Sequence, residues 1–164
     1  MSVNRGKPYL LIIPEDDDDR AFAEGARGAL PAMNVKIVAN SNGWPKIEKL
    51  LAGVYNKRLR ANANEHLLIL IDFDTKGQKR YDKVFGWVPE DVKDRVFIIG
   101  PEKEPKDLKK SLKLKMSFWQ MGDQLVSDCD EQQINPLWDH DMLSHNKPEF
   151  RRLLDTIGLK LLNS

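Results

Sequence analysis

Acidic residues follow directly after two apolar runs of strand length, and their spacing suits a divalent-cation site. Residues 10–14 lead into Glu15 and four consecutive aspartates, and residues 67–71 lead into a second acidic segment. Carboxylates gathered in one place repel one another unless a cation joins them, and Mg²⁺ prefers oxygen ligands. We expect Mg²⁺, with Mn²⁺ as its substitute. The candidate metal ligands are Glu15, Asp19, Asp72 and Asp74, and the candidate catalytic residues are Glu15, Asp72 and Asp74.

Apolar runs and amphipathic stretches alternate along the first hundred residues. The runs predict strands, and the stretches between them predict helices over about residues 17–30 and 44–61. The predicted strands are residues 9–13, 35–39, 67–71 and 95–99. Strands separated by helices indicate βαβ units with right-handed crossovers. The sequence therefore predicts an α/β, three-layer Rossmann-like fold with a central parallel sheet of about four strands.

The last third of the chain contains no convincing strand pattern. Residues 101–164 carry apolar stripes at helical spacing and predict a C-terminal helical extension packed on the α/β core, residues 8–100. Asn146 is the predicted cap of the last helix, with Pro148 in its first turn. No linker divides the chain, so residues 1–164 are expected to form a single domain.

A parallel sheet would bring the two acidic segments together. The carboxyl ends of parallel strands open at one edge, where α/β sheets bind ligands. The first and third strands of a doubly wound sheet usually lie side by side, which would place Asp72 about 5 Å from the end of the first strand. Asp72 and Asp74 are two residues apart, so in extended backbone they would face the same side.

Each acidic segment also has a simpler explanation. Aspartates are favoured at helix N-caps and in the first helical turn, where they meet free N–H groups. Capping accounts for one or two of the acids that follow the first strand, but five consecutive acids exceed that need. Asp72 and Asp74 would be ordinary at a solvated strand-to-loop junction.

Composition limits the classes of protein and of partner. The 164 residues carry a net charge of +1 and are 41% hydrophobic, which is typical of a soluble globular protein. No apolar run approaches the roughly 20 residues of a membrane span, and the start lacks the apolar core of a signal peptide. The single Cys129 excludes an internal disulfide and fits a cytoplasmic location. A protein partner or a second copy of the chain is compatible with these features.

With so little net charge, binding of DNA or RNA would need a local basic patch. Lys76, Lys79 and Arg80 follow directly after Asp74 and are the candidate phosphate- or nucleic-acid-binding residues, although a solvated loop explains them equally well. A second basic cluster is explained better by a solvated helix face, and three tryptophans better by packing in the core or at an interface than by base stacking. These residues are Lys106, Lys109, Lys110, Lys113, Lys115, Trp87, Trp119 and Trp138.

The acidic pattern resembles that of the Toprim domain, found in topoisomerases, primases and overcoming-lysogenization-defect (OLD) type nucleases. A glutamate closing the first strand, an acid four residues later and Asp-x-Asp closing a later strand correspond to Glu15, Asp19, Asp72 and Asp74. The resemblance covers residues 8–100 and implies a Mg²⁺ site acting on nucleic-acid phosphodiester bonds. Two departures are Asp16, where the family usually has glycine, and the absence of an accompanying ATPase, zinc-finger or topoisomerase region. The expectation is thus a stand-alone Toprim-like nuclease or a non-catalytic relative.

Part of the same pattern is similar to the receiver domain of response regulators. Receivers carry acids after the first strand, here Asp16 and Asp17, and a phosphate-accepting aspartate after the third, here Asp72. They also need a Ser or Thr at the end of the fourth strand, where this chain has Gly100, and a Lys after a fifth strand that is not visible. A phosphoaccepting or signalling module with Asp72 as acceptor is the alternative expectation.

Overall fold

The four predicted strands form one parallel sheet. The structure is a computed structural model that describes residues 6–29, 34–103, 107, 110, 117–127 and 140–158. The strands are β1 (Tyr9–Pro14), β2 (Val35–Ile37), β3 (Glu65–Leu70) and β4 (Val96–Ile99). Their order is β2-β1-β3-β4, and every neighbouring pair is parallel. The predicted parallel sheet and the adjacency of its first and third strands are therefore confirmed.

Helical segments connect the strands. In chain order they are α1 (Asp17–Ala29), a 3₁₀ turn (Trp44–Lys46), α2 (Ile47–Leu50), a π-helical stretch (Leu51–Tyr55), α3 (Asn56–Ala61), α4 (Gln78–Phe85), a 3₁₀ helix (Glu90–Arg95), α5 (Phe118–Ser127), a 3₁₀ turn (Ser144–Asn146), α6 (Lys147–Leu153) and a π-helical stretch (Leu154–Gly158). Residues 44–61 thus run as one continuous helical segment, as the sequence predicts. No helix among these residues is long and apolar enough to cross a membrane.

Both faces of the sheet are buried, which makes the fold three-layered. Alternate side chains of β1 point to opposite faces, so Leu10 and Ile12 enter one core while Leu11 and Ile13 enter the other. The first core also contains residues of α1, α5 and α6, and the second contains residues of the 44–61 segment and α4. Continuous burial of β1 matches its unbroken apolar sequence.

Two glycines let α1 and α5 approach backbone to backbone. A Cβ atom at Gly25 would lie 1.9 Å from the carbonyl oxygen of Trp119, and one at Gly122 would lie 2.0 Å from that of Phe22. Neither distance leaves room for a methyl group, so the close approach depends on glycine at both positions. Because α1 also carries Asp19, this contact helps to fix the position of the helix that bears that carboxylate.

Side chains near the C-terminus, Asn146 and Glu149, bind backbone groups along the outer edge of β4 and just beyond it. Glu149 accepts hydrogen bonds from the Ile98 N–H (3.0 Å) and the Tyr81 hydroxyl (2.7 Å). The Asn146 side chain accepts from the Gly100 N–H (3.1 Å) and donates to the Gly100 carbonyl (2.8 Å). An edge strand needs such partners for its outward backbone groups. Asn146 occupies the N-cap position of the last helix with Pro148 in the first turn, as predicted, but its side chain does not cap the helix because it is hydrogen-bonded to Gly100.

Candidate metal site

Three of the four predicted metal ligands converge at the carboxyl edge of the sheet. Glu15 follows β1, Asp19 lies in the first turn of α1, and Asp72 lies two residues beyond β3. Each offers a carboxylate oxygen, and these oxygens all lie within 4.8 Å of one another. The parallel pairing of Pro14 with Leu70 brings the two strand ends side by side. We call Glu15, Asp19 and Asp72 the carboxylate site.

Backbone N–H groups from two loops hold the Glu15 carboxylate. The Asp72 N–H donates to its Oε2 (2.7 Å), and the Trp44 N–H donates to its Oε1 (3.2 Å). Burial raises the pKa of Glu15, the two N–H groups oppose that shift, and the nearby charges of Asp16 and Asp74 add to it. Glu15 is thus held in one orientation while it binds a proton more readily than an exposed glutamate does.

Asp19 is the most deeply buried member of the site. Its relative exposure is 2%, and its Oδ2 accepts no hydrogen bond from any residue that the structure describes. Burial raises the pKa of Asp19 well above its ordinary range, and the charges of Asp72, Asp16 and Glu15 raise it further. A buried carboxylate oxygen that accepts no hydrogen bond is costly unless the group binds a proton or a cation.

Helix capping and the carboxylate site use different members of the acidic run. Asp16 caps α1, because its Oδ1 accepts hydrogen bonds from the N–H groups of Asp18 (3.1 Å) and Asp19 (3.0 Å). Asp17 instead accepts a hydrogen bond from the Asn40 side chain (2.8 Å). The capping role of Asp16 leaves Glu15 and Asp19 to point into the site.

The donor set fits a hard divalent cation. All three members are carboxylates, and Asp72 is buried like Asp19, with 6% of its surface exposed. Oxygen-rich sites suit Mg²⁺ and Mn²⁺, whereas zinc and copper sites normally contain imidazole or thiolate. Glu15, Asp19 and Asp72 would hold the ion, and its charge would offset the repulsion among them.

Asp74 is not part of this group of three. The sequence prediction placed it beside Asp72 on the assumption of extended backbone, but Asp74 and Thr75 adopt left-handed conformations with φ of 47° and 60°. The chain turns there, and the Asp74 side chain, which is half exposed, forms an ion pair with Arg80 at 2.9 Å. The alternation of an extended strand therefore does not apply at this position.

The three candidate phosphate-binding residues differ in accessibility. Lys76 and Lys79 are exposed. Lys76 lies in the loop after Asp74, and Lys79 lies in the first turn of α4. Arg80 is 8% exposed, and its guanidinium already contacts Asp74, the Asp72 carbonyl and the Trp44 ring. Arg80 is therefore occupied by contacts within the protein, whereas both lysines are exposed.

Sequence reasoning missed the contribution of Trp44. Its backbone N–H, a group common to all residues but proline, binds Glu15, and its ring stacks on Trp87 with 5.9 Å between centroids. The signal available in the sequence is the preceding turn, where Asn42 and Gly43 adopt positive φ angles of 60° and 121°. Among the other candidates, Lys106, Lys109, Lys113, Lys115, Trp138 and Cys129 lie outside the described residues.

We expect the affinity for Mn²⁺ or Mg²⁺ to rise with pH. Glu15 and Asp19 have raised pKa values, so at low pH each bound cation must displace protons from them. Calorimetry between about pH 5 and 8 would show tighter binding at higher pH, with proton release that appears as a dependence on the buffer's ionisation enthalpy. Binding that is independent of pH and buffer would place the cation elsewhere.

Comparisons of the chain with protein-family models, with curated proteins and with solved structures find no significant match. Its function must therefore be inferred from the carboxylate site and its surroundings.

Proposed function

We propose that this protein binds Mg²⁺ or Mn²⁺ at the carboxylate site and acts on phosphodiester bonds of DNA or RNA. The observation that carries the proposal is the convergence of three carboxylates of which one, Asp19, is almost fully buried with an oxygen that accepts no hydrogen bond from the described residues. A cation among them would remove their mutual repulsion and the cost of burying this oxygen. The acidic pattern that resembles Toprim domains supplies the reaction class.

The chain's own residues would prepare the site before substrate arrives. The two N–H groups from Asp72 and Trp44 fix both oxygens of Glu15, so little reorganisation is needed on binding. A bound cation would supply Lewis-acid stabilisation of a phosphoryl oxygen and a water of lowered pKa. Exposed Lys76 and Lys79 would attract the polyanion, which the overall charge of +1 does not.

The receiver alternative is less well supported. A Cβ atom at Gly100 would lie 1.6 Å from the carbonyl oxygen of Ile71, so the Ser or Thr that receivers carry there does not fit this backbone. In addition, Asp72 is 6% exposed and its N–H binds Glu15, whereas a phosphoacceptor must be reached by its phosphodonor. Both observations favour a ligand role for Asp72 over an acceptor role.

A cleavage assay tests the proposal. Purified protein with Mn²⁺ should nick or cut DNA or RNA, and Glu15→Gln should lower the rate by about a hundredfold or more because one fixed negative ligand is lost. Glu24→Gln is the matched control, since Glu24 lies in α1 but pairs with Arg20 and is not one of the three converging carboxylates. If the protein cuts neither DNA nor RNA with Mg²⁺ or with Mn²⁺, catalysis is refuted. A mass increase at Asp72 after incubation with a small phosphodonor would favour the receiver alternative.

A further inference from the structure

Arg80 contacts both loops that hold the Glu15 carboxylate. Its Nη1 donates to the Asp72 carbonyl oxygen (3.1 Å) and to Asp74 Oδ2 (2.9 Å). Its guanidinium lies over the Trp44 ring, with Cζ 4.0 Å from the ring centroid. Only 8% of Arg80 is exposed, so these contacts are made in a largely water-free environment.

These contacts belong to a closed ring of interactions that links Arg80, Asp72, Glu15 and Trp44. The carbonyl oxygen of Asp72 accepts a hydrogen bond from Arg80, and the N–H of Asp72 donates a hydrogen bond to Glu15. The Trp44 residue that Arg80 covers also donates its N–H to Glu15. Arg80 thus restrains both donors to Glu15 without touching Glu15 in any contact recorded for the described residues.

The left-handed turn after Asp72 brings Asp74 to its ion pair with Arg80. Asp74 tolerates its positive φ, but Thr75 is β-branched and its φ of 60° is strained. Hydrogen bonds from the N–H groups of Phe73 to Pro101 (3.0 Å) and of Thr75 to Glu102 (2.7 Å) hold this segment beside the end of β4. The turn presents Asp74 to Arg80 and leaves Asp72 in the carboxylate site.

We propose that Arg80 is a positioning residue for the carboxylate site, acting through Trp44 and the Asp72–Asp74 segment rather than by binding substrate. The inference rests on the metal site of the proposed function. It gives Asp74 the role of neutralising and orienting Arg80. The guanidinium suits this role because one nitrogen, Nη1, binds both oxygen acceptors while the rest of the group lies over the indole ring, and the single nitrogen of an ammonium group cannot take both positions.

The test is the affinity for Mn²⁺, measured by calorimetry at a temperature where every variant is folded by circular dichroism. Arg80→Gln should weaken binding by about 10- to 100-fold, the usual effect of losing a group that orients a metal ligand. Arg80→Lys should recover only part of the loss, whereas full recovery would show that charge alone matters and would overturn the positioning role.

Arg58→Gln is the matched control at the opposite end of β3. Arg58 forms an ion pair at 2.8 Å with Glu65, which is 1% exposed, so its loss leaves a buried carboxylate without its cation, whereas the partner of Arg80, Asp74, is half exposed. This variant should lose stability yet bind Mn²⁺ like the wild type. Equal weakening in Arg58→Gln and Arg80→Gln would mean that general destabilisation explains both and would overturn the inference.

Trp44→Leu provides a second route if Arg80→Gln does not fold. It keeps the backbone N–H that binds Glu15 but removes the ring that Arg80 covers, so it should weaken Mn²⁺ binding as well. Where both variants fold, a variant that combines Arg80→Gln with Trp44→Leu should bind Mn²⁺ only slightly more weakly than the weaker-binding single variant, because Arg80 and Trp44 act together. Wild-type affinity in Trp44→Leu would overturn the inference and leave the proposed function standing, whereas absence of Mn²⁺ binding by the wild type would overturn both.

Discussion

Asp19→Asn should abolish tight Mn²⁺ binding and, without a divalent cation, raise the melting temperature. The asparagine keeps the size of the side chain but removes a charge that is 2% exposed and faces Asp72, Asp16 and Glu15. We expect a gain of about 1–2 kcal/mol in the free energy of unfolding, and each kcal/mol shifts the melting temperature of a domain this size by about 2–4 °C.

The stability gained by Asp19→Asn should grow with pH. The raised pKa of Asp19 means that the native wild type keeps this proton up to a higher pH than the unfolded chain does. The stability that this proton contributes is fully present below the unfolded pKa and is lost as pH rises through the native pKa. Thermal melts of wild type and variant, with chelator and with Mn²⁺, at several pH values would measure both effects. The wild type should be stabilised by Mn²⁺ and the variant should not.

Asp17→Asn is the control for the Asp19 variant. Asp17 lies in the same first turn of α1, but it is exposed and bound to Asn40. We expect it to leave Mn²⁺ binding unchanged. If Asp19→Asn instead lowers the melting temperature and binds Mn²⁺ as the wild type does, Asp19 is a structural residue and not a metal ligand.

Gly100→Ser should destabilise the protein by about 3 kcal/mol or more, or prevent folding. A Cβ atom there would lie 1.6 Å from the carbonyl oxygen and 2.8 Å from the carbonyl carbon of Ile71. These are backbone atoms beside Asp72, so no rotamer change relieves the clash, and the strand ends must separate. Chemical denaturation would measure the loss.

Gly53→Ser is the matched control for the glycine variant. Gly53 lies in the helical segment 44–61, and a Cβ atom there meets no heavy atom within 4 Å. Its substitution should be neutral or slightly stabilising, because glycine is a poor helix former. A Gly100→Ser variant with wild-type stability that accepts phosphate at Asp72 would contradict the close approach of the strands and support the receiver alternative.

The sheet and the core of the site follow from local sequence patterns. Apolar runs of strand length predicted four parallel strands, and their acidic ends predicted the approach of Glu15 to Asp72. β3 begins at Glu65, two residues before the predicted start, because Glu65 is buried beside Tyr9 and Arg58. A charged residue at the start of a strand is not apparent from apolar periodicity.

The surroundings of the site depend on tertiary contacts and could not be read from residue types. Asp74 pairs with Arg80 and does not join the three converging carboxylates, because Asp74 and Thr75 adopt positive φ, which favours glycine in general and is not signalled by Asp-Thr. Arg80 was predicted to be an accessible phosphate ligand, yet Trp44, 36 positions earlier in the sequence, covers it. Burial of a basic residue by a distant aromatic ring is a property of the packed fold.

The central claim is that Glu15, Asp19 and Asp72 together bind a divalent cation. Anomalous diffraction from crystals grown or soaked with Mn²⁺ tests it most directly, since it locates the ion without reference to activity. The account predicts one strong peak at about 2.0–2.3 Å from a carboxylate oxygen of each residue, and loss of that peak in Asp19→Asn crystals. Saturating Mn²⁺ with no peak among these three carboxylates, or with a peak held by other residues, would contradict it.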